Sequence, residues 1–291
     1  KMSATGESKS GQDRFLEEME RVQAEAKSEE TFCALESLEA REDDLLIVTY
    51  PKCGNINLRV SIVLSHVNYD CLIQGLFPIA MGARKDFFPA LKEASSPRVF
   101  STHLHYKDIP KSFLEKKVKT LLILRNPKDT AVSYFHFSNN NPILPSYDSW
   151  DLFFNDYING KVCYGSFFDH NSAWGEHIDD ENIMAMTFED MKLDYATHLK
   201  RISEFFGLSL SEEQLKEIEN KTTFKSMKEN SEDNIYVKPL NMHDKAFMCF
   251  ASFEGDVGDW KNHFSEAQSK EMDAKFEACL AGTKLGNLLK Y

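Results

Sequence analysis

The sequence predicts an α/β fold built on a parallel sheet. Three observations carry this. Apolar runs of strand length alternate with segments of helical spacing along most of the chain. Those runs are apolar throughout rather than alternating, which suits a sheet covered on both faces. The first of them, DDLLIVTY (43–50), leads straight into a turn bearing lysine and glycine, PKCG (51–54), as a strand feeding a helix does.

The elements follow in order. Residues 1–12 are small and polar and predict a flexible segment ahead of one domain over 13–291. Phe15, Met19 and Val22 stand at helical spacing and predict a helix over 14–26. After the 43–50 strand and its turn, LRVSIVLSHV (58–67) reads as a helix. RVFSTH (98–103), VKTLLILR (118–125) and NIMAMTF (182–188) read as further strands. Helices are predicted near 128–138, 150–158, 168–177 and 190–206, the last closed by Gly207 as a C-cap. A final helix is predicted over 265–281.

Composition narrows the function classes. With 34 basic against 46 acidic residues the net charge is -12. So acidic a chain is a poor general binder of nucleic acid or anionic membrane, though a local pocket for one small anion remains compatible. Six cysteines, at 33, 53, 71, 163, 249 and 279, form no CxxC pair, and their spacing suits neither a disulfide framework nor a zinc site. They predict reduced thiols in a cytoplasmic protein and no metal. No apolar stretch reaches the roughly 20 residues that span a bilayer.

The candidate site begins at the strand-to-helix turn. In open α/β sheets ligands bind at the carboxyl ends of strands, where a helix N-terminus offers N–H groups and a positive dipole to phosphate. Lys52 and Gly54 stand at such a place, although the nucleotide pattern GxxxxGK[ST] is absent.

TYPKCG, STHLHYKDIP, LILRNPKDTAVSYFHF, SYDSWDLFF, TTFKSMKEN and GDVGDWKNHF occur in this order. Together they resemble the cytosolic sulfotransferases over nearly the whole chain, most closely the 6B branch. The resemblance implies a three-layer sandwich around a parallel sheet, with a P-loop-like turn. It implies transfer of a sulfuryl group from 3′-phosphoadenosine 5′-phosphosulfate (PAPS) to a small molecule bearing a hydroxyl. On the matching positions, Lys52 contacts the 5′-phosphate and the bridging oxygen, and His103 takes the acceptor's proton. Cys53, Gly54 and Asn55 belong to the phosphate turn, Arg125 and Ser133 hold the 3′-phosphate, and Thr222, Phe224 and Met227 surround the adenine. Gly255 completes the 3′-phosphate clamp. The alternative for Arg125 is structural, paired with Asp129. Tyr134 and Phe137 line the acceptor pocket by the same resemblance.

The chain departs from the family pattern where the nucleotide is gripped. The family turn reads Tyr-Pro-Lys-Ser-Gly-Thr-Thr-Trp, but Asn55, Ile56 and Asn57 replace both threonines and the tryptophan that stacks on adenine. Ser101 replaces a lysine, and Phe188 replaces a tyrosine that meets the adenine. Phe253 and Glu254 replace the Arg-Lys of the 3′-phosphate clamp. The family's small dimer motif is also altered: Lys261 is kept, but Ser265, Glu266 and Lys270 stand at the other positions. The sequence therefore predicts a sulfotransferase-fold protein that has lost most or all PAPS-dependent activity and serves in binding, storage or structure. The alternative is an active enzyme acting on a small phenol or alcohol.

Overall fold

The computed structural model describes residues 36–54, 92–140, 144–220 and 257–289, with backbone alone at 73–75 and 221–222. Five strands form one sheet: β1 Leu45–Thr49, β2 Ile73–Gly75, β3 Val99–Thr102, β4 Lys119–Leu124 and β5 Ile183–Thr187. Their order is β2-β3-β1-β4-β5, and every pairing is parallel. The helices are α1 Lys111–Glu115, α2 Pro127–Asn140, α3 Trp150–Ile158, α4 Phe167–Gly175, α5 Phe188–Leu193, α6 Tyr195–Phe206, α7 Glu212–Thr222, α8 Glu266–Cys279 and α9 Lys284–Leu288.

Successive strand side chains point to opposite faces, and here both faces are buried. Leu46, Val48, Phe100, Leu122 and Leu124 join an aromatic core with Phe113, Phe153, Trp174 and Phe276. Leu45, Ile47, Val99, Leu121 and Ile123 face a smaller core with Met191, Ile202 and Phe206. The result is three layers, as the resemblance implies.

Local signals set the helix boundaries. Asn126 accepts Lys128 N at 2.9 Å and Asp129 N at 3.3 Å, with Pro127 opening α2 where its missing N–H costs nothing. Ser149, Ser166 and Asp194 cap α3, α4 and α6. Ser265 and Gln268 form a capping box at α8, so one position of the altered dimer motif, Ser265, is the N-cap of a helix. Gly207 ends α6 at φ 77°.

The predicted single helix over 190–206 is two. Asp194 leaves helical backbone (φ −144°, ψ 75°), and its side chain accepts Thr197 N to begin the second. Sequence reading missed α7 because its residues are mostly charged. Its start carried a signal nonetheless: Ser211 and Gln214 exchange side-chain-to-backbone hydrogen bonds of 2.8 and 3.2 Å. β2 was missed because three residues give no periodicity. The predicted helices at 14–26 and 58–67, and the flexible 1–12, lie outside the described residues. Among the described residues no helix is long and apolar enough to cross a membrane.

One tie brings the C-terminal region to the sheet. Asp129, buried in α2, accepts Gly258 N at 2.8 Å and Trp260 N at 3.1 Å. Arg125 therefore does not pair with Asp129, whose oxygens serve backbone amides instead. Replacing Asp129 by alanine leaves two amides without their charged acceptor, at a cost of about 2–4 kcal/mol. The expected result is a lower denaturation midpoint in urea with an unchanged m-value.

Candidate active site

Four neighbouring strands end at one place. β1 runs into the turn carrying Lys52, β3 into His103, β4 into Arg125 and β5 into Phe188. Their ends are level, since Val48 pairs with Thr102, Thr49 with Ile123 and Leu124 with Thr187. β1 has β3 on one side and β4 on the other, so this is also where the strand order reverses, the usual ligand position in such sheets.

His103 is buried at 9% exposure. Its Nδ1 lies 2.7 Å from the Thr49 carbonyl and 3.1 Å from the Thr49 hydroxyl. A carbonyl only accepts, so Nδ1 carries the proton and Nε2 is the basic nitrogen. The Tyr164 ring meets the imidazole edge-on at 5.0 Å. Tyr164 is held there from both sides, because Tyr50 donates to the Gly165 carbonyl at 2.8 Å and Tyr134 to the Cys163 carbonyl at 2.6 Å. Sequence reading gave Tyr164 no role; its positive φ of 69° leaves no mark in residue type.

The turn after β1 is shaped by its backbone. Lys52 has φ 72° and Gly54 φ 95°. A Cβ on Gly54 would stand 2.5 Å from the Phe188 ring, so only glycine fits under it. Phe188 also lies under the Arg125 guanidinium at 4.5 Å. The ring that replaces a tyrosine is thus packed on the turn and on an arginine. Cys53 is buried with Sγ 3.7 Å from Thr130 Oγ1. Burial pushes its thiol up to about 12, so it is a packing group and not a nucleophile.

Two cations meet in this place. Arg125 is 3% exposed and donates from Nη1 to the Lys52 carbonyl at 2.8 Å, while its buried Nε has no hydrogen-bond partner among the described residues. The Lys52 ammonium stands 4.4 Å above the Phe137 ring. Burial, and then the neighbouring Arg125, lower Lys52 to about 8. An anion would relieve both effects, and the unpartnered Nε is a donor ready for one. Glu189, buried beside Asn126, accepts its N–H at 2.9 Å. Burial raises the Glu189 carboxyl above its ordinary value, with smaller opposing influence from hydrogen bonds and Arg125. Sequence reading missed Glu189.

Ser133 is buried on α2, one helical turn from both Asp129 and Phe137 and on the same face. The structure gathers Lys52, Cys53, Gly54, His103 and Arg125 around the strand ends, and Ser133 lies one turn along α2 from Phe137, whose ring carries the Lys52 ammonium. Thr222 closes α7, with its side chain undescribed. Asn55, Asn57, Phe224, Met227, Phe253, Glu254 and Gly255 lie outside the described residues. Ser101 is fully buried in β3.

The depressed Lys52 has a consequence for stability. Its folded pKa lies below its unfolded one, so between about pH 8 and 10.5 the unfolded chain binds more protons and stability rises with pH. At neutral pH the charged lysine destabilises the fold by on the order of 2–3 kcal/mol. Lys52→Met is expected to stabilise the free protein at pH 7 by about that amount. The gain should shrink as pH rises through 8, read from urea unfolding at pH 7 and 9.

Comparisons with known proteins show the family. The Sulfotransferase domain model matches residues 80–284. Sulfotransferase 6B1 of Mus musculus is 44% identical over 269 residues, covering 91% of this chain and 85% of that protein. Sulfotransferase 1C2 of Homo sapiens is 34% identical over 279 residues, covering 93% and 94%. Among solved structures, mouse sulfotransferase SULT7A1 complexed with PAP superposes with a TM-score of 0.77 at 35% identity, covering 90% of this chain and 93% of that one.

Proposed function

Since the chain belongs to the cytosolic sulfotransferase family, we propose that it keeps the acceptor-activating half of the family's site and has lost most of its grip on PAPS. The observation that carries the first half is the contact between His103 Nδ1 and the Thr49 carbonyl. Nδ1–H donates a hydrogen bond to that carbonyl at 2.7 Å, which fixes the ring and makes Nε2 the base. The residues around it fit an anionic donor: Lys52 and Arg125 are crowded together, and the Arg125 Nε is buried without a partner among the described residues. The donor, when bound, supplies the sulfuryl group. His103 takes the acceptor's hydroxyl proton, the Lys52 ammonium offsets charge at the leaving phosphate, and Arg125 with Ser133 holds the second phosphate. The acceptor is a small phenol or alcohol. The expected setting is cytoplasmic, from the cysteine spacing in the sequence.

The second half rests on Asn57, Phe253 and Glu254 in place of a stacking ring and two cations. A second reading, a binding, storage or structural protein with no turnover, draws on the same substitutions. Calorimetric titration with 3′-phosphoadenosine 5′-phosphate, followed by turnover with PAPS, separates them. Affinity in the submillimolar to millimolar range is expected, with sulfation of a phenol panel at saturating PAPS. Micromolar or tighter binding would contradict the weakened grip. No sulfation at saturating PAPS would favour the second reading.

A further inference from the structure

A cluster of ligating side chains lies away from the strand ends. His136 comes from α2, and Asp259 and His263 come from the turn that Asp129 anchors to that helix. The ligand atoms of all three lie within 4.8 Å of one another, and each residue is half-buried. The two imidazoles meet edge-on at 5.1 Å. His263 Nε2 is 3.6 Å from Asp259 Oδ2.

We propose that His136, Asp259 and His263 form a binding site for a divalent transition-metal cation of the zinc class. Zinc–nitrogen and zinc–oxygen bonds of about 2.0–2.1 Å in a tetrahedron set neighbouring ligand atoms about 3.4 Å apart. The Asp259–His263 edge already has nearly that length, and the His136 edges need to contract by about 1.4 Å at most. Two imidazoles and one carboxylate are a donor set that suits zinc and leaves a fourth position for water. Supporting contacts hold the donors. Asn262 Nδ2 donates to Asp259 Oδ1 at 2.9 Å, turning Oδ2 toward His263. The backbone N–H of His263 donates to the Trp260 carbonyl at 3.0 Å, which holds the turn. A bound cation would tie α2 to the 259–263 turn, one residue from the Phe137 ring that carries Lys52.

The test uses the full chain stripped of metal by chelator and exchanged into buffer. Zinc is titrated in competition with a chromophoric chelator, and cobalt(II) is followed by its visible d–d absorption. One equivalent of zinc should bind at about 10 μM or tighter, with a tetrahedral cobalt spectrum, and zinc should raise Tm. His136→Gln and His263→Gln, checked for folding by near-UV circular dichroism, should each weaken binding by about 100-fold and abolish the cobalt band. Asn262→Ala should weaken it by about 10-fold, as loss of a supporting hydrogen bond does. No zinc binding tighter than about 1 mM overturns the site, as does stoichiometric binding that both histidine variants retain.

Discussion

Replacing Asn57 by tryptophan, Phe253 by arginine and Glu254 by lysine together is expected to tighten binding of 3′-phosphoadenosine 5′-phosphate by about 1,000-fold or more. A hydrogen bond to a charged group contributes about 1.5–3 kcal/mol, and stacking a base on an aromatic ring about 1–3. One stack and two charged contacts amount to roughly 4–9 kcal/mol, or three to six decades of affinity. These terms are not additive, so the lower end is the expected result. Glu254 contributes in the other direction as well, because a carboxylate beside a phosphate repels it. Calorimetry on the native chain and the triple variant reads the change directly. A rise in salt should weaken the variant more than the native chain, since its added contacts are ionic. An unchanged affinity would place the phosphate clamp elsewhere in the chain.

His103→Ala is expected to lower turnover at saturating PAPS by about 100- to 10,000-fold, the range for removing a positioned general base. Affinity for the nucleotide should change little, because the imidazole acts on the acceptor. Thr49 helps to set the base through its backbone carbonyl, so Thr49→Val keeps the Nδ1 hydrogen bond and should retain most activity. His103→Gln retains bulk and hydrogen bonding without a base and should be as inactive as alanine. Equal turnover in the native chain and His103→Ala would remove the imidazole from proton transfer.

The candidate site was legible to the extent that it is local. Lys52 and Gly54 follow the apolar run Leu45–Thr49 directly, and Arg125 follows Lys119–Leu124 in the same way. An apolar run followed by a polar turn marks a strand end from a few residues, and strand ends are where α/β sheets hold ligands. Helices were expected near 150–158, 168–177 and 265–281, and the structure starts them at Trp150, Phe167 and Glu266, each preceded by a serine that caps it. The break at Asp194 was not legible, because helix-favouring residues continue on both sides of it and one side-chain bond decides the matter.

By itself, then, the sequence determined the α/β class, the places of four of its strands along the chain, the family resemblance and the residues that are candidates for holding a phosphate. These follow from periodicity, caps and ordered motifs, which are properties of neighbouring residues. Only the tertiary structure decided how those residues are poised. Strand register brings the Thr49 carbonyl to His103 and so selects the basic nitrogen. Packing lays Phe188 over Gly54 and beneath Arg125, and burial beside that arginine lowers Lys52. Asp129 reaches Gly258 and Trp260 across more than a hundred residues, and this brings Asp259 and His263 to His136. Such partners leave no trace in local pattern, because a hydrogen bond or a cation's neighbourhood depends on distance in space and not on distance along the chain.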